Sequence, residues 1–361
     1  MAQRKIPCLL MRGGTSKAAC FLRQDLPASA ELRDATLLSV MGSPDARQID
    51  GIGGADPLTS KVAIVQRSTR PDSDIDYLFA QVRVEQAFVD YGQNCGNILA
   101  AVGAFALERG LVDITPPLTP VRVFMENTGQ ITIVNVPCDR EGVIYQGDNH
   151  IDGVPGTASA IELFFPYVPQ ISAGRTFPTG QKYEEIDGVA ATCIDNGMPV
   201  VLLRAADFGL TGKESLEQLE QNSRLLKRIE AIRLVAGARM GLGDVIRRSV
   251  PKIILLAVSE KPQSMVTRSF SLQHCHRSIG VFAAISIASA YLIPGTLISP
   301  PDAAPAVPGN FTVSLEHPSG VFNLVAELSL SGELRGCRVL RTARLLFAGH
   351  VMIPAAVWPE I

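Results

Sequence analysis

Apolar residues recur at period two in many short runs of this chain, and two longer stretches break that pattern. Residues 98–107 (Ile-Leu-Ala-Ala-Val-Gly-Ala-Phe-Ala-Leu) and residues 279–293 carry no charged side chain and show no wet face. A helix that is apolar all round is a buried helix. Gly110 supplies a left-handed stop after Arg109, and Pro294-Gly295 ends the second stretch. At ~1.5 Å per residue the first helix is roughly 20 Å long, too short to span a bilayer.

The remaining elements follow from alternation and turn residues. Strands are predicted at 6–11 and 18–22 around the turn Arg12-Gly13-Gly14-Thr15-Ser16-Lys17. That turn lacks the spacing of a phosphate-binding P-loop. A helix is predicted over about 29–41, then a glycine-rich loop over 47–60, a strand over 61–65 and one long strand over 77–89. Strands at 121–126 and 130–136 are joined by Asn127-Thr128-Gly129. Residues 140–190 are turn-rich, with several short strands. A strand over 200–204 precedes one charged amphipathic helix over about 215–235, with Leu216, Leu219, Leu226, Ile229 and Ile232 on its apolar face. Strands at 251–258, a loop at 299–309, a hairpin over 311–330 and closing strands over 339–353 complete the list.

The two halves repeat this order. Each has a strand pair about a turn, an exposed-type helix, a strand beginning near a lysine (Lys61, Lys252), a strand running into an all-apolar helix, and a hairpin. In this alignment the buried helices begin near Cys95 and His276. A period of about 190 residues describes a duplicated domain and not a solenoid. The expectation is an α+β fold of two pseudo-repeated domains, residues 1–185 and 186–339, each a curved sheet wrapped on a buried central helix. Two positive helix ends facing a shared cleft would hold an anion, most simply a di- or tricarboxylate.

Composition narrows the function. Hydrophobic content of 47% against 19% charged residues, with a net charge of −2, describes a globular protein with a large core. No basic excess suggests nucleic acid, and no polybasic tract suggests a membrane surface. The N-terminal apolar run is too brief for a signal segment. The seven cysteines are scattered and form no Cys-x-x-Cys, which points to reduced thiols in a cytoplasm. No dinucleotide fingerprint is present.

The candidate chemistry begins at Asn94-Cys95-Gly96-Asn97, the entrance of the first buried helix. A thiol there faces free backbone N–H groups and the positive helix end, which favours thiolate and binds anions. Read alone, Cys95 is also compatible with a small buried side chain beside an N-cap asparagine. Gly96, which leaves the thiol uncovered, tips the reading toward function.

Met11-Arg12-Gly13-Gly14-Thr15-Ser16-Lys17, Asp50-Gly51-Ile52-Gly53-Gly54, Thr59-Ser60-Lys61, Asn94-Cys95-Gly96-Asn97, Glu316-His317-Pro318-Ser319-Gly320 and Arg341-Thr342-Ala343-Arg344 run the length of the chain. In combination they resemble the methylaconitate isomerase family, which has the diaminopimelate epimerase-like fold. The resemblance implies a proton transfer on an unsaturated tricarboxylate without cofactor or metal, with Lys61 and Cys95 at its centre. It also implies that residues 340–361 return to complete the N-terminal domain. The implied substrate is oxalomesaconate-like, in gallate-type aromatic catabolism. The alternatives are an allylic isomerase of methylaconitate or aconitate, and a catalytically silent carboxylate-binding protein.

The residues fit that chemistry on their own terms. Moving a double bond, or converting keto to enol, requires a base at one atom and an acid at another. Lys61 opens a strand between polar Ser60 and apolar Val62, so its amine could reach a dry cleft where desolvation lowers its pKa. Arg12, Thr15, Ser16, Ser60, Asn97 and Ser278 are candidate carboxylate contacts, with the Gly96 backbone. His276 is a further candidate, or a structural histidine. In His274-Cys275-His276-Arg277-Ser278, the cysteine is displaced and followed by bulky residues, which argues against a two-thiol racemase. No distant partner with ligand spacing turns this cluster into a metal site. Homodimerisation is left open.

Overall fold

The computed structural model describes residues 3–167, 176–272, 274–299 and 309–359, and both charge-free stretches are buried helices in it. The chain divides into two units, one formed by Met1–Leu163 with Leu340–Ile361 and the other by Phe164–Val339.

The first unit is built on β1 (Gln3–Gly13), β2 (Ser16–Leu22), α1 (Ala30–Met41), β3 (Lys61–Arg67), β4 (Ile75–Val82), β5 (Val89–Asp90), α2 (Gly96–Glu108), β6 (Leu118–Met125) and β7 (Gln130–Pro137). β1 pairs antiparallel with β2, β2 parallel with β3, and β3 antiparallel with β4. β4 takes β5 antiparallel and β6 parallel, and β6 pairs antiparallel with β7. α2 packs against β1, β2, β3, β6 and β7, so the sheet curves around it. Every residue from Gly96 to Leu107 is buried. At about 1.5–3 kcal/mol per large apolar side chain, Ile98, Leu99, Val102 and Phe105 make this helix a main source of the unit's stability. Gly103 is required for its seat on β7, since a Cβ there would stand 2.5 Å from a methyl of Val134. Ser29 caps α1, accepting from the Leu32 N–H, and Gly42 ends it at φ 80°.

β8 (Ala160–Pro166) crosses the division between the units. The second unit contains β9 (Glu184–Ile186), β10 (Val189–Asp195), β11 (Pro199–Arg204), α3 (Leu216–Gln221), α4 (Ser223–Arg239), β12 (Lys252–Val258), β13 (Ser264–Ser271), β14 (His274–Cys275), α5 (Val281–Leu292), β15 (Gly309–His317) and β16 (Gly320–Leu328). Its pairing order repeats that of the first unit: β10 antiparallel with β11, β11 parallel with β12, β12 antiparallel with β13. β13 then takes β14 antiparallel and β15 parallel, and β15 pairs antiparallel with β16. The α+β pseudo-repeat is therefore present strand for strand. β17 (Leu334–Pro354) pairs with β16 through residues 334–338 and with β1 through residues 343–354.

Several elements differ from the sequence reading. The strand expected over 77–89 is two strands, because the chain reverses at the exposed Glu85-Gln86 and Arg83 N–H bonds the Phe88 carbonyl. The helix expected over 215–235 breaks at Asn222, whose side chain accepts from Leu225 N–H and starts α4 afresh. β9 pairs with β10, and Tyr167 N–H bonds the Arg335 carbonyl, so residues 164–167 and 176–185 fall in the second unit. The second buried helix starts at Val281 with Gly280 as its N-cap, not near His276. Of the loop expected over 299–309, residues 300–308 lie outside the described residues. Among the described residues no helix is long and apolar enough to cross a membrane.

Candidate active site

Lys61 is the first residue of β3 and is 7% exposed. Its Nζ donates to Gln81 Oε1 at 2.6 Å and stands 5.2 Å from the centre of the Phe79 ring. Burial lowers its pKa from the ordinary lysine value, against Cys95 and Asp56, which raise it, while Arg83 lowers it further. An amine so desolvated loses its proton more readily than a surface lysine.

Cys95 is the N-cap of α2, in extended conformation, and its side chain does not cap the helix. The first N–H groups of α2, including those of Gly96 and Asn97, thus have neither intrahelical acceptors nor a side-chain cap. They carry the positive end of the helix dipole. Cys95 is half-buried, whereas the other six cysteines are buried. The approach to Cys95 is fixed by the β6–β7 turn. Asn127 donates to the carbonyls of Phe79 and Tyr91 at 2.9 Å and accepts from Phe79 N–H at 2.8 Å. Asn94 Nδ2 donates to Thr128 Oγ1 at 2.5 Å, and Asn94 Oδ1 is buried without a hydrogen-bond partner.

The β1–β2 turn lies on the first turn of α2. A Cβ at Gly13 would meet the Asn97 carbonyl oxygen at 2.5 Å, and one at Gly14 (φ 51°) would meet Asn97 Oδ1 at 2.2 Å. Only glycine permits this approach. Asn97 Nδ2 donates to Thr15 Oγ1 at 3.2 Å, and its Oδ1 accepts from Arg341 Nε at 3.1 Å. The Arg341 guanidinium is 7% exposed, and burial pushes its pKa down to about 9. Ser16 is buried with no hydrogen-bond partner for its hydroxyl. An unpaired buried hydroxyl costs about 1–3 kcal/mol, so it is available to a ligand.

The other candidates are placed differently. Arg12 donates to the carbonyls of Gly14 and Thr342 and to Thr342 Oγ1, tying β1 to β17. Ser60 is fully buried, its hydroxyl 2.8 Å from Gln48 Oε1 and 2.9 Å from the Asp56 carbonyl, so it organises the loop before β3. His276 and Ser278 belong to the second unit, between β14 and α5. Cys275 is a β14 residue in that unit's apolar core, and burial raises its thiol to about 12. In the repeat Cys275 matches Asp90, the last residue of β5, and Gly280 is the N-cap that matches Cys95. The second buried helix thus has no thiol at its N-cap. Among the described residues no three His, Cys, Asp or Glu side chains are grouped as metal ligands.

Sequence reasoning missed Gln81, Gln48 and Arg341. Gln48 accepts from Ala55 N–H and donates to Ser43 Oγ, at φ 47°. Arg341 alone had a signal, in the motif Arg341-Thr342-Ala343-Arg344.

The frame is α+β and epimerase-like, and the relatives of the chain make it an isomerase. The chain belongs to the PrpF protein family, which it matches over residues 3–354. It is 57% identical over 359 residues to 4-oxalomesaconate tautomerase of Pseudomonas putida, covering 99% of each chain. It is 50% identical to (4E)-oxalomesaconate Delta-isomerase of Novosphingobium sp., covering 96% of this chain and 97% of the other. Among solved structures it is similar to methylitaconate-delta-isomerase, with a TM-score of 0.78 and 33% identity over 99% of this chain and 97% of that one.

Proposed function

We propose that this isomerase interconverts the keto and enol forms of oxalomesaconate or a closely similar unsaturated tricarboxylate, with Lys61 and Cys95 exchanging the protons. The observation that carries the reading is the buried Lys61 amine, held below its ordinary pKa beside a half-buried thiol at a helix mouth. The names of the relatives at 57% and 50% identity support the substrate class.

In the forward direction one group removes a proton from the carbon beside the ketone. The C–H electrons form the new C=C bond, the carbonyl π pair moves to oxygen, and that oxygen takes a proton from the other group. No atoms or electrons are gained or lost overall. The charge that develops on oxygen or a neighbouring carboxylate would be met by the α2 N–H groups, Arg341, Asn97 and the free Ser16 hydroxyl. The aim of Arg12 at Thr342 and of Ser60 at Gln48 gives those two side chains supporting roles.

The test is an ultraviolet assay of purified protein on oxalomesaconate and on methylaconitate, with Lys61→Ala and Cys95→Ser alongside. The expected result is turnover of oxalomesaconate, reduced about 10²–10⁴-fold or more in kcat in each variant, with KM moving less. Preference for methylaconitate would replace the substrate assignment with allylic isomerisation. Near-native kcat in Lys61→Ala would overturn the proton-transfer role.

A further inference from the structure

We infer that Gln81 is a positioning residue for the reaction, aiming the Lys61 amine and holding it through a neutral acceptor. The inference rests on the reading of Lys61 as a proton-transfer group. Lys61 and Gln81 are directly opposed across β3 and β4, with Nζ donating to Oε1 at 2.6 Å. The amide cannot turn away. Its Nε2 donates to the carbonyl oxygens of Pro57 and Ser60, each at 3.0 Å. Reversing it would set an NH2 group against an ammonium and an oxygen against two carbonyl oxygens, losing every contact at once. The acceptors are themselves held, since Ser60 is tied through Gln48 and Asp56.

The neutral character of this partner matters. A carboxylate at the same distance would hold the ammonium charged, and an apolar side chain would remove the acceptor altogether. An amide oxygen satisfies one N–H direction without adding charge, so burial keeps control of protonation. The charged and titratable groups around Lys61 come from separate elements: Cys95 at the mouth of α2, Asp56 before β3, and Arg83 after β4. Asp90 on β5, opposite Gln81 in register, is joined to Arg83 at 3.6 Å. Gln81 stands between Lys61 and that ion pair.

The repeat supplies an internal comparison. Lys252 opens β12 as Lys61 opens β3, and it is also buried. The register of β12 with β13 begins at the next residue, Ile253 opposite Phe270, and β13 carries no glutamine. The duplicated fold therefore keeps a lysine at this strand mouth without needing a glutamine across from it. The glutamine accompanies the lysine that neighbours a helix-mouth thiol.

The experiment compares pH profiles of kcat/KM for the wild type, Gln81→Glu and Gln81→Leu, with Lys61→Ala as reference. A carboxylate should move the limb governed by Lys61 to higher pH by about 1 unit or more, and leucine should move it lower. Loss of aim should cost kcat about 10- to 100-fold in Gln81→Leu, with a smaller change in KM. Titration of the Lys61 ammonium by NMR of ¹⁵N-lysine protein, assigned with Lys61→Arg, should shift in the same two directions. That measurement needs no turnover, and Gln81→Glu carries it if the leucine variant does not fold. An inactive Lys61→Ala together with an unmoved limb and an unmoved NMR titration overturns the role of Gln81 alone. Near-native activity of Lys61→Ala overturns both readings.

Discussion

Arg341 Nε donates to Asn97 Oδ1 at 3.1 Å, joining the first turn of α2 to β17 across 244 positions of sequence. Asn97 also donates to Thr15, so one amide links helix, strand and the β1–β2 turn. Asn97→Ala should therefore leave a buried guanidinium less satisfied and cost about 2–4 kcal/mol. Urea unfolding of the two proteins measures it. A loss below about 0.5 kcal/mol would show that the contact carries no stability.

Lys61 is expected to trade stability for function. Its folded pKa lies below the unfolded value, so the folded state prefers the neutral amine. Its full contribution is present above pH 10.5 and is lost as pH falls through the folded value. Lys61→Met removes the buried charge and should unfold at a higher temperature than the wild type at pH 7, with the difference vanishing above pH 10.5. Calorimetry at the two pH values decides it, and a lower Tm at pH 7 would count against the burial argument.

Cys95 should react first with iodoacetamide. The other six thiols are buried, and burial pushes Cys8 and Cys337, like Cys275, up to about 12. Peptide mass spectrometry over a time course reads the order, and a tricarboxylate should slow Cys95 alone. First modification of any other cysteine would return Cys95 to a structural role.

Asp195, at the end of β10, has its carboxyl raised to about 6 by burial, against the Gly197 N–H that lowers it. A raised folded pKa contributes stability below the unfolded value near 3.8, and that contribution is lost as pH rises through 6. Asp195→Asn keeps the acceptor and removes the charge. It should stabilise the second unit by about 1–2 kcal/mol at pH 7.5, discounted for its partial exposure, and leave stability unchanged at pH 3.5. Equal effects at both values would exclude ionisation as the cause.

The two buried helices, the repeat and the β1–β2 turn were legible because each rests on a local pattern: absence of charge, order of elements, adjacent glycines. Lys61 and Cys95 were legible as element boundaries. Gln81 was not, because the sequence shows one polar residue in an alternating strand and says nothing of which residue faces it across the sheet. The same limit set the helix entrance of the second unit five residues early. His274–Cys275 form β14 instead, and the N-cap that matches Cys95 is Gly280. Ser60 read as a ligand contact from its place beside Lys61, but its hydroxyl is directed into the loop held by Gln48. Arg341 lies in the motif Arg341-Thr342-Ala343-Arg344, and only the long-range pairing of β17 with β1 brings it to α2.

The course of β17 also bears on how the protein is born. Residues 343–354 supply the partner for β1, and Thr342 the acceptors for Arg12, yet the ribosome must first make the whole of 164–339. At ~5–20 residues per second the first unit waits roughly 10–35 s with one strand edge unpaired. Such an edge is a template for aggregation. Nascent chains stalled after residue 339 should need chaperone protection that chains released beyond residue 354 do not.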